Sequence, residues 1–200
     1  TGRRTGVRLI VGGVLAGCLL AGCGDSGAAP VADATRSAPA TGNAVDVMFL
    51  QMMLEQHRQA AVVLRMAAAR AVRPEVRTMA AAMEATQRTE AEVMTDWLRR
   101  WGEPLAVDPT AHQAPDAHGG HDVLRGTTTA DIELLESTGP DEFDRTLLNI
   151  LVAHQHNAVE LARMQRDGGS HPAITRFAAQ IDRSRTAQIE HLLTLLGGTA

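Results

Sequence analysis

Tyrosine and lysine are absent from this 200-residue chain, and Phe (3), Trp (2) and Cys (2) are scarce. All 19 basic residues are therefore Arg. Without Lys there is no Schiff-base nucleophile and no phosphate-cradling lysine. With so few aromatics, Ala, Leu, Val and Met must supply the apolar volume, which favours close helix packing over an aromatic-rich β-sandwich. Two Cys can build neither a disulfide scaffold nor a Cys-rich zinc site. A net charge of −4 argues against a general nucleic-acid binder. What the chain does have is Met and His, eight of each.

The first residues read as an address. Arg3, Arg4 and Arg8 precede an apolar run from Leu9 to Leu20, which ends in Leu20-Ala21-Gly22-Cys23. That order is a secretory signal with a small-residue cleavage site, and the run is too short for the roughly 20 residues of a membrane span. The tetrapeptide resembles the lipobox of bacterial lipoproteins. The resemblance implies a signal peptide over 1–22, lipidation of Cys23, and anchoring of the protein to the membrane outside the cytoplasm. Cys18 would leave with the signal, so no thiolate remains for metal binding or catalysis. Residues 23–44, rich in Ala, Gly, Pro, Ser and Thr, cannot bury a core and read as a flexible tether.

The remainder, 45–199, reads as one unit written twice. Shifted by 98 positions, Asp46 meets Asp144, Leu50 meets Leu148, Arg65-Met66 meets Arg163-Met164, Pro74 meets Pro172 and Leu98 meets Leu196. A constant offset of this kind predicts an internal duplication. Each copy carries apolar residues at helical spacing, as at 49, 52, 53, 60, 63, 64 and 67. Asn43 with Asp46 predicts an N-cap, Arg73-Pro74 a break and restart, and Gly102 a stop. Gly139-Pro140, Gly168-Gly169, Pro172 and Gly197-Gly198 punctuate the second copy. The expectation is an all-α four-helix bundle of two tandem hairpins, 45–101 and 129–199. They are joined by a linker over 102–128 that contains His112, His118 and His121, and a short capped helix begins near Thr129.

Polar residues interrupt the core stripes at matching places. Gln56-His57 in the first copy corresponds to His154-Gln155 in the second, and Gln87 and Glu90 correspond to Arg185 and Gln188. An amide and a carboxylate within a core stripe require partners, and His57 and His154 are the candidates. Met53 and His57, four residues apart, share one helix face.

Asp46-x-x-Phe49-Leu50-x-Met52-Met53-Leu54-x-Gln56-His57, then Gln87-x-x-Glu90-x-x-x-Met94-x-x-Trp97-Leu98, resembles the domain-of-unknown-function 305 family. Phe143-Asp144-Arg145-Thr146-Leu147-Leu148 with His154 resembles its second copy. The resemblance spans about residues 44–199. It implies a ferritin-like helical bundle, usually secreted, with some members binding copper through Met and His. Where the family usually has His-His at both motif positions, this chain has Gln56-His57 and His154-Gln155.

Thioether and imidazole donors without thiolate suit Cu(I) or silver better than hard cations. The candidate ligands are His57, His154, Met53, Met52, Glu90 and Met94. His112, His118, His121 and His156 form a secondary set, although His156 points away from His154 on the same helix. A Met stripe at helical spacing is more often simply core, which leaves a metal-free bundle that binds a protein partner or simply occupies the cell surface as the competing expectation; self-association is compatible with either. Di-iron chemistry needs Glu-x-x-His on two helices, and the chain contains none. No nucleophile motif is present, so the chain is expected not to be an enzyme.

Overall fold

The computed structural model describes residues 41–107 and 126–198, which form five α-helices and no strand. The first, α1, runs Ala44–Arg70 and opens on a capping box: the Asn43 side chain accepts from the Asp46 amide, and Asp46 accepts from the Asn43 amide. The second, α2, runs Pro74–Trp101. Pro74 sits in its first turn, where its missing N–H costs nothing, and Gly102, at φ 72°, closes it in the left-handed conformation. The short α3 spans Thr129–Ser137 behind a second capping box, Thr128 with Asp131. Then come α4, Pro140–Gly168, and α5, Pro172–Gly197, each with Pro in the first turn. The punctuating residues expected from the sequence are those that start and stop the helices. No described helix is long and apolar enough to cross a membrane.

The order of the helices follows from contacts between their ends. Asn43, at the start of α1, donates to Gly168 O at the end of α4, whereas Asp144, near the start of α4, accepts from Val72 and Arg73 after the end of α1. Thus α1 and α4 are antiparallel. Arg73 donates to Leu195 O, and Trp97 meets Phe177 edge-on at 5.2 Å, so α2 and α5 are antiparallel as well. The chain must therefore travel the length of the bundle between α2 and α4, giving the single long crossover of ferritin-like folds. Arg70 fixes the end of that crossover. It donates to the backbone carbonyls of Leu135, Glu136 and Thr138, at the C-terminus of α3, and lies over the Phe143 ring at 4.4 Å.

The buried interior divides in two. Phe49, Leu50, Met53, Met94, Leu98, Leu161, Ile174 and Ile181 pack at the end where α1 begins. Val63, Leu64, Val76, Met83, Leu135, Phe143, Leu147, Leu148 and Leu192 pack at the opposite end. Between these clusters along every long helix lies a polar residue pair: Gln56 and His57, Gln87 and Glu90, His154 and Gln155, Arg185 and Gln188, of which all but Gln188 are buried.

Each end is closed by a carboxylate, and the two closures correspond at the 98-residue offset. Asp46 accepts from the backbone amides of Ser170 (3.0 Å) and His171 (3.1 Å), and from the Gln165 side chain (2.8 Å). Asp144 accepts from the amides of Val72 (2.9 Å) and Arg73 (2.8 Å). Each hairpin thus clasps the entry to the second helix of the other, satisfying the N–H groups of the N-cap residue and the residue before it. Gly169 is required beside Asp46: a Cβ there would lie 2.7 Å from Asp46 Oδ1 and 2.2 Å from Gln165 Nε2. Burial alone would raise the Asp46 pKa. The hydrogen bonds from Ser170, Asn43, Gln165 and His171 outweigh it and leave the carboxyl below its ordinary value.

Asp46→Ala and Asp144→Ala should each cost about 2–3 kcal/mol in urea unfolding, because each removes charge-assisted bonds to buried amides. Lying at opposite ends, the two effects should be additive. The Asp46 contribution is present in full above the unfolded carboxylate pKa, near 4, and lost as pH falls through its lower folded value. Asp46→Asn should flatten that acid limb of the stability curve.

Candidate metal centre

The central layer is built around one buried ion pair. Arg185, on α5, is fully buried. Its Nη2 donates to Glu90 Oε2 on α2, and its Nη1 reaches Gln188 Oε1 at 3.4 Å. The same Glu90 oxygen is 2.8 Å from His57 Nε2 on α1. A carboxylate can only accept, so His57 Nε2 carries the proton and Nδ1 presents a lone pair. Ninety-eight residues on, the corresponding contact recurs in neutral form, with Gln155 Nε2 donating to Gln188 Oε1. His57–Glu90 and Gln155–Gln188 are equivalent bonds, one charged and one not.

His154 occupies the other side of the layer. Its Nδ1 lies 2.9 Å from the Thr127 hydroxyl, which the crossover brings in just before α3. With Nδ1–H donating, Nε2 presents a lone pair. Gln56 Nε2 reaches His154 O at 3.5 Å and ties α1 to α4 at this level. Both imidazoles are thus held by one nitrogen, while His57 Nδ1 and His154 Nε2 are buried atoms without a hydrogen-bond partner. A ring oriented through one nitrogen and open at the other is the arrangement by which proteins prepare histidine for a metal.

Electrostatics keep both rings uncharged. Burial lowers the His57 pKa and, with Arg185 nearby, prevails over the pull of Glu90. His154 is pushed down to about 3, by burial first and then by repulsion from charge on His57 and Arg185. Burial would raise Glu90, but the hydrogen bond from His57 and the Arg185 charge hold it below the ordinary carboxylate range.

Of the residues singled out in the sequence, His57, His154, Glu90, Met53 and Met94 fall in or against this layer. Met53 and Met94 are fully buried in the cluster where α1 begins, one turn from His57 and Glu90 respectively. Met52 is only partly buried, packed against the same cluster. Consecutive helical residues differ by about 100° in direction, and Met52 lines an open groove with Gln51, Glu55 and Gln59 on another side of α1. His156 is exposed on α4. His112, His118, His121 and Cys23, with its signal and tether, lie outside the described residues. Arg185 as the partner of Glu90 was not anticipated, although a charged residue on a core stripe opposite an acidic one is a readable signal. Thr127 had no signal at all, because the linker has no periodicity from which to orient it.

The donor set fits a soft monovalent ion better than a dication. It offers two neutral imidazole nitrogens with thioethers one turn away. Among the described residues no group of three or more His, Cys, Asp or Glu side chains could hold an ion. His57 and Gln87 line a groove of about 380 Å³ between α1 and α2, walled by Leu54, Ala61, Leu64 and Ala91 together with Arg58, Glu84, Arg88 and Thr95.

Arg185→Met should cost about 3–5 kcal/mol, since it strands the Glu90 charge, whereas Glu90→Met with Arg185→Met should recover most of the loss. Urea unfolding of the two variants measures both. The histidines make a separate prediction. Below about pH 6.5 the unfolded chain takes protons that the buried rings refuse, so stability should fall with pH down to about 3, where His154 itself is protonated. The slope from His154 is about 1.4 kcal/mol per pH unit, and His154→Gln should remove it.

A family model, DUF305 (domain of unknown function), matches residues 46–196. No curated protein sequence matches the chain. Among solved structures, a DUF305 fragment from Deinococcus radiodurans superposes with a TM-score of 0.67 at 23% identity, covering 78% of this chain and 98% of that one. A DUF305 protein from Streptomyces coelicolor gives 0.66 at 22% identity, over 78% and 92%. CopM in its Cu(II)-bound form gives 0.61 at 22% identity, over 78% and 97%, and CopM is also solved in Cu(I)- and Ag-bound forms. These likenesses show a shared helical-bundle fold, and the chain belongs to the DUF305 family.

Proposed function

We propose that this bundle binds Cu(I) or Ag(I) reversibly through His57 and His154, and that it buffers or delivers the ion without turnover. The carrying observation is the pair of buried imidazoles, each held by one nitrogen and unpartnered at the other. Both are kept neutral, so protons do not compete for them near neutral pH. Met53 and Met94 supply polarizable sulfur alongside, and the α1–α2 groove gives an ion a path to His57. That CopM, a protein of the same fold, is solved with Cu(I) and with silver supports the choice of metal. The equivalent end clasps and equivalent polar pairs support a duplicated hairpin as the origin of the scaffold. Lipidation at Cys23 would place the bundle outside the cytoplasm at a membrane surface.

A second reading has its own observation. Arg185 already balances the charge of Glu90, so the layer is electrically complete without an ion. On that reading the protein is a metal-free surface bundle with a protein partner.

Titration with Ag(I) by calorimetry, and with Cu(I) against a chromophoric chelator, decides between the two. Binding should be stoichiometric with the protein and fall at least tenfold in the His57→Gln, His154→Gln double variant, which uses the amide already present at each equivalent position, Gln155 and Gln56. No competition above a buffer control would reject metal binding by the bundle. Loss of binding only when His112, His118 and His121 are replaced would move the site to the linker.

A further inference from the structure

We propose that Arg185 determines the valence selectivity of the central layer, restricting it to soft monovalent ions by occupying the cationic position beside Glu90. The inference rests on the reading that His57 and His154 bind Cu(I) or Ag(I), and it concerns what the layer refuses.

The guanidinium is fully buried and in contact with the carboxylate. Glu90 Oε2 already accepts from both Arg185 and His57 Nε2. Counted as charges, Glu90 and Arg185 cancel and the two imidazoles are neutral. A monovalent ion adds one charge to a buried layer of zero net charge, and a divalent ion adds two. The cost of burying charge grows with its square, so the second charge is the more expensive. Dications also seek carboxylate oxygen, and the carboxylate here is engaged. Arginine does not lose its proton in proteins, so the block holds at every working pH.

The equivalent position shows that a cation is not required by the scaffold. Ninety-eight residues earlier stands Gln87, a neutral amide that is buried on α2 without hydrogen-bond partners. Arg185 also reaches Gln188 Oε1, the equivalent of Glu90. One guanidinium therefore contacts both members of the charged and uncharged pair of acceptors, and replacing it leaves the buried Glu90 carboxylate with its His57 bond but without a counter-charge.

The test compares the full chain, Arg185→Gln and Arg185→Lys, each against the same protein carrying His57→Gln and His154→Gln. Ag(I) and Zn(II) are titrated by calorimetry, and Co(II) is followed by its visible d–d absorption. Subtracting the histidine double variant removes binding by exposed and linker histidines. The native protein should show histidine-dependent Ag(I) binding and none for Zn(II) or Co(II). Arg185→Gln should gain at least tenfold in histidine-dependent Zn(II) and Co(II) affinity, with new d–d bands. Arg185→Lys, which keeps the charge, should not. Native binding of Zn(II) or Co(II) through the two histidines as tight as that of Ag(I) would overturn the proposal even if Arg185→Gln does not fold. A folded Arg185→Gln without any gain would overturn it too, as would an equal gain in Arg185→Lys. Absence of Ag(I) binding by the native protein would instead remove the metal reading beneath it.

Discussion

The contact between Glu90 and Arg185 is the constraint around which the interior is arranged. It joins α2 to α5, from different hairpins, at mid-height and out of water. A buried pair of this kind is poor evidence of net stability, because desolvation consumes most of its attraction. It is strong evidence of registry. An α5 displaced by one helical turn would place the guanidinium in an apolar cluster and leave Glu90 without its counter-charge. The small Ala, Leu and Val side chains of the two clusters would tolerate several packings. The central layer tolerates one.

The layer also explains why the histidines sit as they do. His57 is oriented because Glu90 is ionised, and Glu90 stays ionised because Arg185 and His57 both donate to it. His154 has no carboxylate and takes its orientation from Thr127, delivered by the crossover. The two rings reach the same state, neutral and half-satisfied, by different means. One depends on packing between hairpins and the other on where the linker returns to the bundle, so each can be disturbed without the other.

Much of this architecture could be read from the chain. Asn43, Pro74, Gly102, Pro140 and Pro172 act through local backbone chemistry, so their effect on helix boundaries is visible without knowledge of neighbours. The heights of the polar residues could be read as well, because the 98-residue offset aligns Gln56-His57 with His154-Gln155 and Glu90 with Gln188. Partner choice could not. Periodicity assigns a residue to a face but does not say which helix lies opposite. The α2–α5 pairing that joins Glu90 to Arg185 follows from the crossover, and the crossover is written in the least periodic part of the sequence. Thr127 is hidden for the same reason.

The two ends and the middle of the molecule obey different rules. At the ends, Asp46 and Asp144 accept from backbone amides at equivalent positions. In the middle, equivalent positions carry different residues: His57 against Gln155, Glu90 against Gln188, Gln87 against Arg185. A clasp must only satisfy backbone N–H groups, which are the same in both halves, so symmetry costs nothing there. A charged layer cannot be symmetric in the same way. Two copies of Glu90 with two copies of His57 would bury two negative charges at mid-height, and two copies of Arg185 would bury two positive ones. One acid, one base and a neutral amide pair is a charge-balanced way to fill such a layer. In that arrangement the unpartnered nitrogens of His57 and His154 are donors that no backbone or side-chain group has claimed.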